Sequence, residues 1–240
     1  IWAAEQGAVF VEVGNWLRAQ WFPQQGETHW RQSVDREVRA TRGSVGICDV
    51  TTLGKIDVQG ADAADFLNRV YANAFAKLPV GKTRYGLMLR EDGIAMDDGT
   101  TARLAEDHFV MTTTTGGAAR VLEWLELWHQ TEWPELNVYF NTVTDHWATA
   151  TISGPNARAL LSELTDTDLD SDNFPFMAWR EGMVADIPGR IFRISFTGEL
   201  SYEINVNANY GLTLWERLIE AGKKYNLTPY GTETMHVLRA

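Results

Sequence analysis

Lys55-Ile-Asp-Val-Gln-Gly-Ala-Asp-Ala-Ala-Asp-Phe-Leu67 and Thr149-Ala-Thr-Ile-Ser-Gly-Pro-Asn-Ala-Arg-Ala-Leu-Leu161 share one pattern. Each is an alternating run, a glycine, and a helical start. The alternation from Leu53 to Gln59 predicts a half-buried strand, because successive strand side chains point to opposite faces. Gly60 breaks it, and Ala61 to Tyr71 predicts a helix with Phe66, Leu67 and Val70 on one face. In the second copy Trp147 to Ser153 predicts a strand, Gly154-Pro155 the break, and Asn156 to Leu164 a helix. Gly60 matches Gly154, Ala63 matches Ala157, and Phe66-Leu67 matches Leu160-Leu161.

Both copies continue alike. After the first come a hairpin, Tyr85 to Leu104, a strand, Phe109 to Thr115, and a helix, Ala118 to His129. After the second come strands at Gly182 to Ala185, Arg190 to Ser195 and Ser201 to Val206, then a helix from Tyr210 to Ala221. The fold class is therefore α+β, built of duplicated split βαβ (ferredoxin-like) units. The expected division is a Trp-rich, irregular segment 1–44 packed on the core, with Val34 to Thr41 a short helix. A domain 45–240 follows, with pseudo-repeats at about 45–140 and 145–240 and a ligand expected where their sheets meet. The chain starts at Ile1 without Met and ends at Ala240 within a helical pattern, so it reads as part of something longer.

The balance of 21 basic against 32 acidic residues, net −11, argues against nucleic acid and anionic membrane surfaces as partners. The sequence shows no signal peptide and no apolar run of transmembrane length. These features are compatible with a soluble cytoplasmic enzyme. Cys48 is the single cysteine and reads as a packed thiol. The five histidines have no metal-ligand spacing, so no metal site is expected.

Four stretches carry candidate chemistry. In the hairpin, Asp97 and Asp98 stand where a strand normally carries β-branched or aromatic residues. Alternation puts them on opposite faces. One carboxylate beside an apolar sheet would suit a base, but the local sequence favours a bulge or second turn at Asp98-Gly99 as the reason for the pair. Glu203 sits in an apolar strand after the turn Phe196-Thr-Gly-Glu-Leu-Ser201. It is either an acceptor for paired N–H donors or a surface residue. Thr112 to Gly117 runs from a strand into a helix N-terminus, which in outline suits an anion. Arg239, in the terminal helix Thr232 to Arg239, could pair a carboxylate.

An ordered set of motifs spans Val34 to Ala240: Gly46-Ile-Cys-Asp-Val-Thr-Thr-Leu-Gly54, Gly60, Tyr85, Asp92-Gly93, Asp97-Asp98, Gly154-Pro-Asn-Ala157, and Phe196-Thr-Gly-Glu199 with Tyr202-Glu203. This set resembles the aminomethyltransferase (T-protein) family of the glycine cleavage system. Within it, LGKIDVQG, YGLMLREDG, MTTTTGGAARVLEWLE, SFTGELSYE and PYGTETMHVLRA are similar to the folate-binding portion of the alpha subunits of heterotetrameric sarcosine oxidases.

The resemblance implies a catalytic aspartate at Asp98 with Asp97 beside it and a pterin-binding glutamate at Glu203. It implies ring-lining residues Phe196 and Leu53, further folate-site residues Tyr85 and Thr112, and a tail-binding Arg239. It also implies transfer of the one-carbon unit of oxidised sarcosine to tetrahydrofolate, giving 5,10-methylenetetrahydrofolate and glycine. For the whole enzyme it implies FAD, FMN and NAD, with the FAD and NAD sites outside this chain, and beta, gamma and delta subunits as partners. One departure stands out. T-proteins carry a tyrosine where this sequence has Ala102, which argues against plain T-protein activity. The competing readings are a T-protein or dimethylglycine oxidase relative, and a non-catalytic folate-binding or scaffold module.

Overall fold

The computed structural model describes residues 1–240. The chain opens with a short helix α1 (Trp2–Glu5), strands β1 (Val9–Val13) and β2 (Trp16–Trp21), and helix α2 (Trp30–Gly43). Strands β3 (Gly46–Asp49) and β4 (Gly54–Gln59), helix α3 (Ala63–Val70), and strands β5 (Thr83–Leu89), β6 (Ala95–Ala105) and β7 (His108–Thr113) follow. Then come α4 (Ala118–Thr131), β8 (Tyr139–Thr142), β9 (Trp147–Ser153) and α5 (Ala157–Leu161). The chain closes with β10 (Trp179–Val184), β11 (Ile187–Phe192), β12 (Ser201–Asn207), α6 (Gly211–Gly222), β13 (Thr228–Pro229) and α7 (Thr232–Arg239). By contacts it divides into two units. The first comprises residues 1–52, 147–176 and 180–240, the second 53–146 and 177–179.

In the second unit a five-stranded antiparallel sheet runs β5-β6-β7-β4-β8. One face is apolar and carries α3 and α4. Ile56, Met88, Phe109 and Met111 from the strands meet Phe66, Leu67, Val121 and Leu125 from the helices, all buried. Phe66, Leu67 and Val70 recur at helical spacing, which is why α3 lies with that stripe inward. In the first unit a six-stranded sheet runs β10-β11-β12-β9-β3-β13, with β13 parallel to β3 and β3 antiparallel to β9. Ile47, Ile152 and Tyr202 align across it and are buried, and α5 and α6 pack on it. Gly46–Asp49, placed by sequence at the head of the first repeat, thus hydrogen-bonds within the first unit's sheet.

The paired glycines have parallel reasons. Gly60 has φ +135° and Gly154 has φ +130°, a region L side chains rarely adopt. A Cβ at Gly60 would collide with the Asn137 carbonyl, and one at Gly154 with the carbonyls of Thr41 and Ser44. The strand-to-helix corner therefore uses the same residue in each unit for both conformation and space.

Three local expectations are corrected. The Trp-rich segment is not irregular. β1 and β2 form an antiparallel hairpin turning at Gly14-Asn15, with Gly14 at φ +60°. The helix expected over 34–41 runs Trp30–Gly43. A capping box extends it: His29 Nδ1 accepts from the Arg31 amide at 3.2 Å, and the Gln32 side chain accepts from the His29 amide at 3.2 Å. Third, β10 and β11 turn through Ala185 and Asp186, both at positive φ, 50° and 63°. Both central residues at positive φ make a type I′-like hairpin turn with Asp186 but without the glycine that usually accompanies it, so the turn signal in the residues is weak. Both corner helices are also shorter than expected: α3 starts at Ala63 because the residues just after Gly60 form the turn itself, and α5 ends at Leu161, with 162–164 in a further turn.

Candidate functional site

Asp97-Asp98-Gly99 is regular strand. Met88 pairs with Asp97, Leu87 with Asp98 and Gly86 with Gly99 in unbroken register, and the irregularity falls earlier, between Met88 and Leu89 opposite Ala95. The expected bulge or turn at Asp98-Gly99 is therefore absent. Gly99 is needed because β7 approaches closely: a Cβ there would collide with the Thr112 carbonyl.

The two aspartates part as alternation demands. Asp97 shares the helix-covered face with Met88 and is only 7% exposed. Its Oδ1 accepts the Thr114 amide at 3.3 Å, at the turn that opens α4. Its Oδ2 is buried without a partner and lies so near Gly117 that a Cβ there would not fit. Burial raises the Asp97 carboxyl above its ordinary value, opposed by hydrogen bonding from Thr114. Asp97 thus answers an orphan amide near a helix N-terminus. The anion that Thr112 to Gly117 suggested is this residue's own carboxylate.

Asp98 lies on the other face, half-exposed, with the Tyr85 hydroxyl donating to its Oδ2 at 2.9 Å. The inward, buried carboxylate is therefore Asp97, and the one on the open polar face is Asp98. Cross-strand pairing puts Thr100 beside Tyr85 on that face, and Lys55 beside Thr112. Thr112 Oγ1 accepts from the Thr100 amide at 2.9 Å and donates to the Thr100 carbonyl at 3.1 Å, bridging the strands beside Gly99. Lys55 is 3% exposed, and its Nζ donates to the carbonyl of half-buried Leu53 at 3.0 Å. Lys55 shares its strand with Asp57 and Gln59, so its charge does not stand out in the sequence.

In the first unit Phe196 is 43% exposed, and the Arg239 guanidinium stands 4.8 Å from its ring centroid, so these two predicted residues meet. Glu203, half-buried on β12, pairs across the sheet with Thr151 and Phe192. Ser201, on the same face as Glu203, heads a buried hydroxyl chain. Its Oγ lies 3.2 Å from Thr151 Oγ1 and 2.9 Å from Ser153 Oγ, which is 3.3 Å from the Tyr230 hydroxyl. None of these hydroxyls was singled out from sequence, because serine and threonine in strands carry no distinguishing pattern. Cys48 is buried, and burial pushes its thiol up to about 12, so it is no nucleophile at neutral pH.

No three His, Cys, Asp or Glu residues are grouped to hold a metal ion, and no helix is long and apolar enough to cross a membrane. The family model for the GCVT N-terminal domain matches residues 1–240. The chain belongs to the GCVT N-terminal domain family. Among relatives, this family member is 54% identical over 240 residues to the sarcosine oxidase subunit alpha of Rhizobium meliloti, covering 99% of this chain and 24% of that protein. It is also 54% identical over 241 residues to that of Corynebacterium sp. (strain P-1), covering 100% of this chain and 25% of the other. The chain thus spans about a quarter of the length of these curated relatives. Its GCVT fold superposes on the glycine cleavage system aminomethyltransferase T of Bartonella henselae with a TM-score of 0.82 at 25% identity, covering 99% of this chain and 60% of that one.

Proposed function

We propose that this chain is the folate-binding, one-carbon-transferring portion of a sarcosine oxidase alpha subunit. The observation that carries the reading is Asp98, a half-exposed carboxylate held by the Tyr85 hydroxyl on the polar face of its sheet. The sarcosine oxidase relatives supply the substrate class. The donor set suits a reduced folate. Glu203 has two acceptor oxygens for the paired N–H groups of a pterin. Phe196 and Leu53 offer apolar surface to a flat ring, and Arg239, exposed and stacked on Phe196, suits the tail carboxylates. Tetrahydrofolate, when bound, supplies the nitrogen that accepts the one-carbon unit. Asp98 takes the proton that nitrogen sheds or steadies adjacent positive charge. Thr112 keeps β6 and β7 in register beside Asp98.

Oxidation of the amine belongs, on this reading, to flavin held elsewhere in the larger protein, with FAD, FMN and NAD as its cofactors and beta, gamma and delta subunits as its partners. The test is calorimetric titration of the full chain with 5-formyltetrahydrofolate, beside Asp98→Ala and Glu203→Ala. Binding lost in Glu203→Ala but kept in Asp98→Ala, with one-carbon transfer lost in the latter, is the expected result. Undiminished transfer in Asp98→Ala sinks the catalytic assignment.

A further inference from the structure

A second feature lies apart from Asp98, wholly within the first unit. A cavity of about 350 Å³ opens between the β1–β2 hairpin, α6 and the ends of β3 and β9. That is within the size range of small-molecule sites. Its wall is aromatic: Trp2 meets Trp215 edge-on at 5.3 Å and Phe22 at 6.3 Å. Arg18 lines the same space. Its Nε and Nη2 are both buried, and neither has a hydrogen-bond partner. Those two nitrogens form one edge of the guanidinium, the edge that receives a carboxylate side-on through parallel N–H···O bonds. The Trp215 indole Nε1, a further buried donor on the wall, is also unpartnered.

Buried donors are satisfied almost without exception, and a half-buried guanidinium with one edge out of solvent wants a counter-charge on that edge. The neighbouring acids do not supply it. Asp49, on the cavity rim, accepts the Thr51 amide at 2.9 Å and makes no ion pair with Arg18. Glu37 is committed to the amides of Phe22 and Gly231 and the Thr234 hydroxyl. Cys48, also on the wall, is held neutral by burial.

We propose that this cavity binds a small organic monocarboxylate with a flat apolar body, its carboxylate on the Nε–Nη2 edge of Arg18 and its body against Trp2, Phe22 and Trp215. The aromatic wall favours such a body over a compact oxyanion, and the exposed Asp49 at the rim disfavours a polyanion. The Trp215 N–H is left for a second acceptor on the ligand.

The test is ligand-observed NMR on the full chain with benzoate, benzamide and inorganic phosphate as probes, repeated on Arg18→Met and Arg18→Lys. Circular dichroism checks that each variant folds. Benzoate is expected to bind, with benzamide and phosphate at least about tenfold weaker. Arg18→Met is expected to lose about tenfold or more in benzoate affinity, with Arg18→Lys between the two. Absence of benzoate binding to wild type overturns the proposal, as does equal binding of benzamide or unchanged affinity in folded Arg18→Met. Phosphate binding as tight as benzoate overturns the apolar-body assignment. Titration of Arg18→Met with 5-formyltetrahydrofolate separates this proposal from the folate reading, since that binding is expected to stay at the wild-type value.

Discussion

Asp97 and Asp98 are neighbours in sequence and opposites in use. On one face of β6, Asp97 is buried and spends an oxygen on the Thr114 amide at the start of α4. On the other face Asp98 meets only side-chain chemistry in the Tyr85 hydroxyl and keeps access to solvent. The difference sets the two apart: the carboxylate committed to a backbone amide serves the fold, and the one left on the polar face is the one the proposed function uses. Glu37 extends it. Fully buried, it accepts the Phe22 amide at 2.7 Å, the Gly231 amide at 3.1 Å and the Thr234 hydroxyl at 2.6 Å, tying residues distant in sequence.

The strongest challenge to this contrast is Asp98→Ala. It should cut one-carbon transfer by about 10²–10⁴-fold while leaving the thermal midpoint where it was. A lowered midpoint with retained turnover would reverse the two aspartates. Glu37→Ala should be the largest stability loss, about 3 kcal/mol by urea denaturation, because it strands two buried amides and a hydroxyl. Asp97→Ala should cost about 1–2 kcal/mol through the lost acceptor at α4, with turnover per folded molecule unchanged.

The pH responses sharpen the contrast by sign. Arg36 and Ser33 hold the Glu27 carboxyl down at about 2 against an ordinary 4.5, with burial opposing them. Its contribution is complete above pH 4.5 and is lost as pH falls toward 2. Burial raises Glu37, as it does Asp97, so deprotonation costs more in the folded state, and each subtracts stability as pH climbs above the ordinary carboxylate range. Melting curves against pH should lose the acid-side decline in Glu27→Gln and the opposite slope in Glu37→Gln. The smallest effect expected is Tyr85→Phe, a loss of turnover below about tenfold from a freer Asp98. A null effect there would detach Tyr85 from the site.

Much of the fold was legible. The two strand–glycine–helix stretches carry their period and their break in the residues themselves, and Gly60 and Gly154 prove to be required by φ and by space alike. The β1–β2 hairpin was marked only by its Gly14-Asn15 turn, because Val-Phe-Val-Glu-Val and Trp-Leu-Arg-Ala-Gln-Trp carry no clean period of two. The turn at Ala185-Asp186 was barely legible, since its positive φ values are imposed by strand twist on residues that advertise them only weakly. For the site, alternation said that Asp97 and Asp98 must part. Which faced α4 depended on register, which an irregularity at Met88 sets from outside the motif. Lys55 and Arg18 were invisible for another reason. A cation's importance lies in its surroundings, the Leu53 carbonyl for Lys55 and the missing partners of Nε and Nη2 for Arg18, and those are properties of packing.

The placement of β3 has a kinetic consequence. It pairs with β9, about a hundred residues later, and with β13 near the chain's end, while the β4 to β8 sheet closes within a single run of chain. Closing long loops carries an entropic penalty before any contact offsets it, so high contact order slows folding. Amides of β4 to β7 should therefore gain protection first in pulsed hydrogen exchange. The hydroxyl chain around Ser153 and Tyr230 should be among the last structures to assemble.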